Sequence, residues 1–534
     1  MPHKGADIVE IYDSEKENLR RIRRNTLGDL LRRDARRDPA KTAMIFRDQK
    51  ISYREWNVMV NQVAEGLSSR GVRSEMHVGI VGKNSLNFLT YALAVAKLGA
   101  VLVPVNPVLT AKEMAYILRH ADIAAVAADS SLINRVEEGI REASLRPLVQ
   151  VALDIDSTQD LWIPWDRVGK GHGEEWWGPA VDDDAAQILY TSGTESNPKG
   201  VLLTHRSLLD QFFSIIVAGE FRTNDVVLHA LPLFHSAQLN AFFGPFLELG
   251  ATHVLLEGPE PERIMEAIEH HQVTVFFAPP TVWIAILRSP SFSPSRFSSL
   301  KKAVYGASAM PVEILRELGR FLPQTRFSNM YGMTEMGPFA TALPPEEQLT
   351  RPGSVGKPGV NVEMTVLRDD GSEASFNEPG EVCFRSSHAL LGYYKDPEKT
   401  REAFRHGWYH TGDIGVIDAE GYLSIVDRKK DMIKTGGENV ASREVEEVLY
   451  THSAVQECAV IGVPHPYWGE AVIAVVVKRQ GMDVSEPELI AHVRETLTGF
   501  KTPKRVVFQN TLPKNASGKI VKRLIAPEIS WQDD

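Results

Sequence analysis

Cysteine is scarce in this chain: only Cys383 and Cys458 occur among 534 residues, with no CxxC spacing. That excludes a disulfide framework and a thiol-built zinc site, and it fits a reducing cytoplasm. There is no excess of basic residues either. Lys and Arg number 59 against 69 Asp and Glu, a formal net charge of −10. General affinity for nucleic acid is therefore not expected, because phosphate backbones are held through surplus positive charge. A long uninterrupted apolar run is also missing. Residues 88–105 come nearest, but they contain Lys97, Gly99 and Pro104 and read as a helix followed by a strand, not as an integral membrane segment. The opening MPHKGADIVEIYD carries acids where an export signal needs basic and then apolar residues, and SWQDD at the other end is no peroxisomal address. A cytoplasmic location is expected.

What is present is ample material for folding. With 43% hydrophobic residues over this length, at least two domains are expected. Eight arginines fall within residues 20–37, interleaved with Leu27, Leu30 and Leu31 at helical spacing and with Asp29, Asp34 and Asp38. The interspersed acids favour a docked first helix with solvated charges over a membrane-surface helix.

From Met76 short apolar runs alternate with amphipathic stretches: VGIV, a helix near 85–98, AVLVPV, a helix at 110–120, IAAVAA. This rhythm predicts a parallel sheet covered by helices. It returns with VVLHAL, ATHVLL, VTVFFA and KKAVYG, a second parallel layer, and gives way over 353–426 to short strands with Gly, Pro and Asp turns, a small barrel-like region. The fold class is thus α/β, two parallel layers plus the barrel-like region in a large domain over 1–427. A small, mobile α+β domain over 428–534 is expected to follow, with helices at 442–449 and 486–497.

Between residues 190 and 200 the text YTSGTESNPKG offers hydroxyls on Thr191, Ser192 and Thr194, curvature at Gly193 and Gly200, and charge on Lys199. Such a loop suits phosphate oxygens, although it is neither a Walker A nor a Rossmann fingerprint. Hydroxyls and glycines alone would also suit an ordinary polar loop.

Tyr190, Thr191, Ser192, Gly193, Thr194, Pro198, Lys199 and Gly200 resemble the signature loop of the adenylate-forming superfamily, which holds acyl-CoA synthetases, adenylation domains and beetle luciferases. The resemblance continues in order through LPLFH (231–235), YGAS (305–308), YGMTE (331–335), YHTGD (409–413), DRKKDMIKTGGENV (427–440) and PKNASGKI (513–520). It implies an AMP-forming ligase that converts a carboxylic acid and ATP to acyl-AMP and pyrophosphate, then to a coenzyme A thioester. By the same resemblance Lys519 bridges the carboxylate and the α-phosphate, and Glu335 holds Mg²⁺ with Thr194 nearby. Tyr331 stacks on adenine, Asp413 accepts the ribose hydroxyls, and Arg428 contacts the nucleotide. Gly306, Ala307, Ser308, Gly332 and Thr334 complete the nucleotide side. Lys430 stands at the hinge, and Gly436 and Gly437 let pantetheine pass in the thioester stage; two glycines also simply end a turn.

His235 stands where such synthetases carry a gate beside the acid and amino-acid-activating relatives carry aspartate, so an amino acid is disfavoured. Ala237, Gln238, Gly332 and Pro338 are the acid-pocket residues. The small residues Ala237, Ala241 and Gly244 suit either an apolar channel or a core helix. A fatty acid is the first expectation for the substrate, an aryl acid the alternative. A stand-alone enzyme loading a carrier protein, a luciferase-like oxidation and a catalytically silent nucleotide-binding protein are the other readings, and a homodimer is left open. Glu195, Ser196 and Ser386 depart from the family pattern, which usually has Thr, Gly and Gly there.

Overall fold

A computed structural model of the chain describes residues 22–47, 49–154, 161–191, 197–308, 310–514, 520–529 and 531. Alternating helix and strand signals resolve into two sheets, as the rhythm predicts. In one, the strands Val149–Ala152, Ala125–Ala128, His77–Val81, Val101–Val105 and Ala185–Thr191 run parallel in that order. Lys199–Thr204 and Gly392–Tyr393 then add on antiparallel. In the other, Thr42–Phe46, Thr252–Leu255, Val226–His229, Val275–Phe277, Lys302–Gly306 and Arg326–Tyr331 are parallel neighbours.

The antiparallel region hydrogen-bonds directly onto that second sheet. Thr341–Leu343 pairs with Arg326–Tyr331, and Ser354–Pro358 leads on to Leu423–Arg428, Trp408–Ile417, Gly380–Ser386 and Val362–Leu367. The antiparallel strands therefore continue the second sheet directly.

Local chemistry sets the element ends. Ser85 caps the helix Leu86–Leu98 by accepting from the Phe88 amide at 3.0 Å. Gly99, at φ +73, ends that helix in the left-handed conformation that glycine adopts without a steric penalty. Lys97, which breaks the apolar run, is buried and meets Glu175 at 2.5 Å, Asn57 at 2.8 Å and Asn61 at 2.6 Å. Burial lowers its pKa to about 8 against the pull of Glu175. One core takes Met44 and Leu255 from one sheet, Val78 and Leu102 from the other, and Phe88, Tyr91 and Phe212 from the helices between.

The arginine-rich segment forms the helix Leu30–Arg37, preceded by the turn Leu27–Asp29, and it buries Leu27, Leu30 and Leu31. Arg24 and Arg32 both pair with Asp29, at 2.9 and 2.8 Å, and Arg33 pairs with Glu248 at 2.7 Å. Among the described residues, Arg24, Arg32, Arg33 and Arg37 are thus paired with neighbouring acids, as expected for a docked helix.

The smaller sheet orders Glu438–Val440, Ile433–Thr435, Gly469–Lys478 and Val455–His465, with Arg505–Phe508 parallel to Gly469–Lys478. Alternation along Gly469–Lys478 sends Val472, Ala474 and Val476 to a core with the helices Ser442–Tyr450 and Glu486–Thr496. Ala471, Ile473 and Val475 turn to Leu512, Ile525 and Ile529 on the opposite face. Among the described residues no helix is long and apolar enough to cross a membrane.

Candidate active site

In open α/β sheets ligands bind beyond the carboxyl ends of the strands, and the expected site residues gather there. His235 follows Val226–His229, Gly306, Ala307 and Ser308 close Lys302–Gly306, and Tyr331 to Glu335 close Arg326–Tyr331. Leu231, Pro232, His235, Ala237, Gln238, Phe277, Pro279 and Ala307 line a crevice at this edge. Two glycines are required by close approach: a Cβ on Gly306 would lie 2.3 Å from the Met330 carbonyl oxygen, and one on Gly332 would lie 1.9 Å from that of Pro338. Gly332 and Pro338 are therefore in direct contact.

The nucleotide candidates converge across the junction of parallel and antiparallel strands. Tyr331 donates its hydroxyl to Asp413 Oδ2 at 2.6 Å, and Arg428, paired with Asp413 across the ladder, sets Nε 3.7 Å from Oδ1. Burial and the Asp413 carboxylate push the Tyr331 phenol well above its usual range, so it remains a donor. Glu335 accepts from the Tyr393 hydroxyl at 3.1 Å, and Lys199 Nζ lies 5.1 Å from the Tyr393 ring centre. Burial raises the Glu335 carboxyl, opposed by Tyr393 and by the positive charges of Lys199 and Arg428. Thr334 meets Ser236, beside His235, hydroxyl to hydroxyl at 2.8 Å.

On the acid side, residues Ala237–Phe243 form a π-helical turn, a widening common at functional sites. Gln238 lines the crevice, yet its amide is already engaged. Its Oε1 accepts from the Leu231 amide at 3.2 Å, and its Nε2 meets His229 Nδ1 at 2.7 Å, whose Nε2 meets His253 at 2.9 Å. Burial pushes His229 down to about 3, so this buried relay is uncharged. Ala241 packs among Phe221, Phe242 and Phe277, and a Cβ on Gly244 would strike the Phe212 ring at 2.1 Å. These two serve the core, while Ala237 alone of the three small residues lines the crevice.

The phosphate-loop strands form a hairpin, Thr191 opposite Lys199 and Tyr190 opposite Gly200. Ser192, Gly193, Thr194, Glu195 and Ser196 lie outside the described residues, as does Lys519. Ser386 donates its hydroxyl to the Asn361 carbonyl at 2.7 Å. Lys430 sits in a turn in which the Asp431 and Met432 amides both return to the Arg428 carbonyl. Gly436 and Gly437, at φ +60 and +87, form the two-residue turn between Ile433–Thr435 and Glu438–Val440, a pair of angles that glycine suits. The Gly436 amide donates to the Trp468 carbonyl at 2.8 Å. Tyr393 and Ser236 were not singled out by sequence reasoning. Tyr393 lies in LLGYYKDPEKT, where two adjacent tyrosines between a glycine and a Pro-initiated helix were the available signal.

The "AMP-binding enzyme" family model matches residues 31–394, and "AMP-binding enzyme C-terminal domain" matches residues 444–519. The chain belongs to the AMP-binding enzyme family. It is 35% identical to a feruloyl-CoA synthase of an Amycolatopsis species over 94% of this chain and 98% of that one. It is also 31% identical to a long-chain-fatty-acid–CoA ligase of Bacillus subtilis, over 94% of each. The crystal structure of the anthranilate CoA ligase AuaEII in complex with anthranoyl-AMP superposes with a TM-score of 0.88 at 27% identity, covering 95% of this chain and 98% of that one. This AMP-binding enzyme is an AMP-forming acid–CoA ligase that uses ATP and coenzyme A.

Proposed function

We propose that this ligase activates a compact, ring-bearing carboxylic acid. The relatives carry the reading: the chain is 35% identical to one named as a feruloyl-CoA synthase and superposes on an anthranilate CoA ligase, both named for ring-bearing acids, while the crevice, at about 10 Å³, must widen to admit any acid. Gln238 and Phe277 are among its walls, and the buried, uncharged relay behind Gln238 offers no counter-charge to a second ionised group on the tail. A long alkyl acid is the second reading, favoured by the relative named as a long-chain-fatty-acid–CoA ligase.

In the reaction a carboxylate oxygen attacks the α-phosphorus as the bond to pyrophosphate breaks; the thiolate of coenzyme A then attacks the acyl carbon and AMP leaves. Two anions must approach each other, so neutralisation and alignment dominate. We assign the ribose hydroxyls to Asp413, the adenine face to Tyr331, nucleotide contact to Arg428 and the bridge between carboxylate and phosphate to Lys519. Gly306, Ala307, Ser308, Gly332 and Thr334 line the nucleotide, and His235 stands beside the acid. Glu335 suits Mg²⁺: it is a carboxylate already turned toward hydroxyl oxygens, and Mg²⁺ commonly takes one or two carboxylates and completes its shell from phosphates and water. The ion would supply charge neutralisation at the triphosphate. The domain boundary is placed between residues 427 and 428, with Lys430 as the hinge and Gly436 and Gly437 facing the thioester stage. A reducing cytoplasm suits the two buried, unpaired thiols, Cys383 and Cys458.

AMP release with free coenzyme A, measured over benzoates, cinnamates and alkyl acids from acetate to palmitate, tests the substrate. Aryl acids should exceed palmitate in kcat/KM by about tenfold or more; the reverse order supports the alkyl reading, and acyl transfer to a carrier protein alone would refute coenzyme A as acceptor. Lys519→Ala should abolish acid-dependent pyrophosphate release and spare thioester formation from supplied acyl-adenylate. Equal loss of both refutes its role.

A further inference from the structure

Lys522 lies three residues beyond Lys519, and its ammonium is the meeting point of four segments. Its Nζ donates to Ser442 Oγ and pairs with Glu446 Oε1 at 2.7 Å. Glu446 Oε1 also accepts the Val460 amide at 2.8 Å, which ties in the strand Val455–His465. Ser442, fully buried at the start of Ser442–Tyr450, donates both its amide and its hydroxyl to Asp427 Oδ2, each at 2.6 Å. Asp427 Oδ1 in turn accepts the Arg428 amide at 2.8 Å. The hydroxyl of Ser442 thus accepts from Lys522 and donates to Asp427, a directional relay from the C-terminal segment to the last large-sheet strand, Leu423–Arg428.

On the loop side, the Val521 amide donates to the Pro513 carbonyl at 2.8 Å, and Lys514 bridges to Ile520. The described residues on either side of 515–519 are therefore held to each other, and the next anchor toward the C-terminus is Lys522. A largely buried Lys–Glu pair is a poor stabiliser, since apolar side chains of similar volume often replace one without loss. What it supplies is one defined arrangement. By the proposed boundary the relay also crosses the domain junction: Asp427 precedes Lys430, while Ser442, Glu446 and Lys522 follow it.

We propose that Lys522 is a positioning residue for adenylation, tying the chain just beyond Lys519 to the junction at Asp427 through Ser442 and Glu446. The inference rests on the role assigned to Lys519 above. Adenylation needs that side chain placed to within an ångström; thioester formation from ready-made adenylate does not.

The test measures both half-reactions, KM values and thermal unfolding for Lys522→Met, Lys522→Arg, and the double variant Lys522→Met with Glu446→Leu, which leaves no orphaned carboxylate. Acid-dependent pyrophosphate release should fall about a hundredfold in Lys522→Met and in the double variant. KM for ATP, and thioester formation from supplied acyl-adenylate, should stay within about threefold, and Lys522→Arg should recover most of the loss. Adenylation within about threefold of the parent, equal loss of both half-reactions, or failure of both Met variants to fold would each overturn the proposal. Lys519→Ala run alongside separates the two ideas. If it spares adenylation, the reading of the site has failed; if it abolishes adenylation while the Lys522 variants do not, only the positioning role has.

Discussion

Raising the pH from about 5 to about 8.5 should cost the parent chain roughly 2.5 kcal/mol of stability at a single side chain, Asp34. This aspartate lies in the helix Leu30–Arg37 with its carboxyl against Gly250, where an added Cβ would come within 2.8 Å of Oδ1. Arg37 reaches Oδ1, while Oδ2 is buried with no partner among the described residues. Burial pushes the pKa from 3.8 up to about 7, raised further by Glu248 and opposed by Arg37, Arg33 and Lys41. The sign follows from the direction. A carboxyl with a raised folded pKa holds its proton more tightly when folded, so its contribution is most favourable below 3.8 and is lost as pH rises through about 7.

At about 1.4 kcal/mol per pH unit, the full penalty for the rise from 3.8 to about 7 is about 4.4 kcal/mol, of which roughly 1.7 is already present at pH 5. Asp34→Asn removes the titration and keeps the oxygen that meets Arg37. Urea unfolding of parent and variant at both pH values, followed by tryptophan fluorescence, isolates the effect, because every other group titrates alike in the two proteins. The variant's advantage should grow by about 2.5 kcal/mol between them. A pH-independent difference, or one that shrinks as pH rises, refutes the reasoning.

Three other substitutions test the nucleotide side and its control. Tyr393→Phe removes the hydroxyl that Glu335 accepts; a hydrogen bond to a charged group is worth about 1.5–3 kcal/mol, so kcat for pyrophosphate release should fall roughly 10- to 100-fold with a smaller change in KM for MgATP, and the unfolding temperature should drop because the carboxylate loses its donor. Gly332→Ala drives a Cβ to 1.9 Å from the Pro338 carbonyl oxygen, displacing the turn that carries Thr334 and Glu335; adenylation should drop about a hundredfold, read as pyrophosphate release. Gly319→Ala, in the helix Val312–Phe321 with nothing within 4 Å of the new Cβ, should leave activity alone and raise stability by about 0.5–1 kcal/mol.

The parallel strands were legible because strands covered on both faces must be apolar throughout, as in VVLHAL and KKAVYG, and because caps such as Ser85 and Thr110 mark where helices begin. The joining of the antiparallel strands to the second sheet was not. It depends on Thr341–Leu343 pairing back onto Arg326–Tyr331, and such a register is set by the turn between them, whose residues are read from sequence as catalytic motif. The small residues of SAQLNAFFGPFL split for a similar reason. Only the packing of Phe212 and Phe242 decides that Gly244 and Ala241 belong to the core while Ala237 meets the crevice. Tyr393 escaped notice because its partner Glu335 is 58 positions away, and no local pattern encodes such a contact.

Both carboxylates assigned to the nucleotide side arrive already satisfied by a tyrosine: Asp413 by Tyr331 at 2.6 Å, Glu335 by Tyr393 at 3.1 Å. A partly buried carboxylate without a donor carries a desolvation penalty of several kcal/mol. A tyrosine is suited to relieve it, because burial keeps both phenols protonated at any pH the enzyme meets. On the roles proposed above, ribose hydroxyls and Mg²⁺ must compete with these internal donors. Exchanging one hydroxyl for another leaves the number of satisfied lone pairs nearly unchanged, so Asp413 contributes orientation more than affinity. Binding strength must then come from what has no internal substitute, namely positive charge aimed at the phosphates and the aromatic face of Tyr331. Tyr393→Phe separates these terms: if Glu335 contributes mainly through orientation, the variant's defect in MgATP use should be accompanied by a lower kcat, because an untethered carboxylate samples positions from which it holds nothing in line.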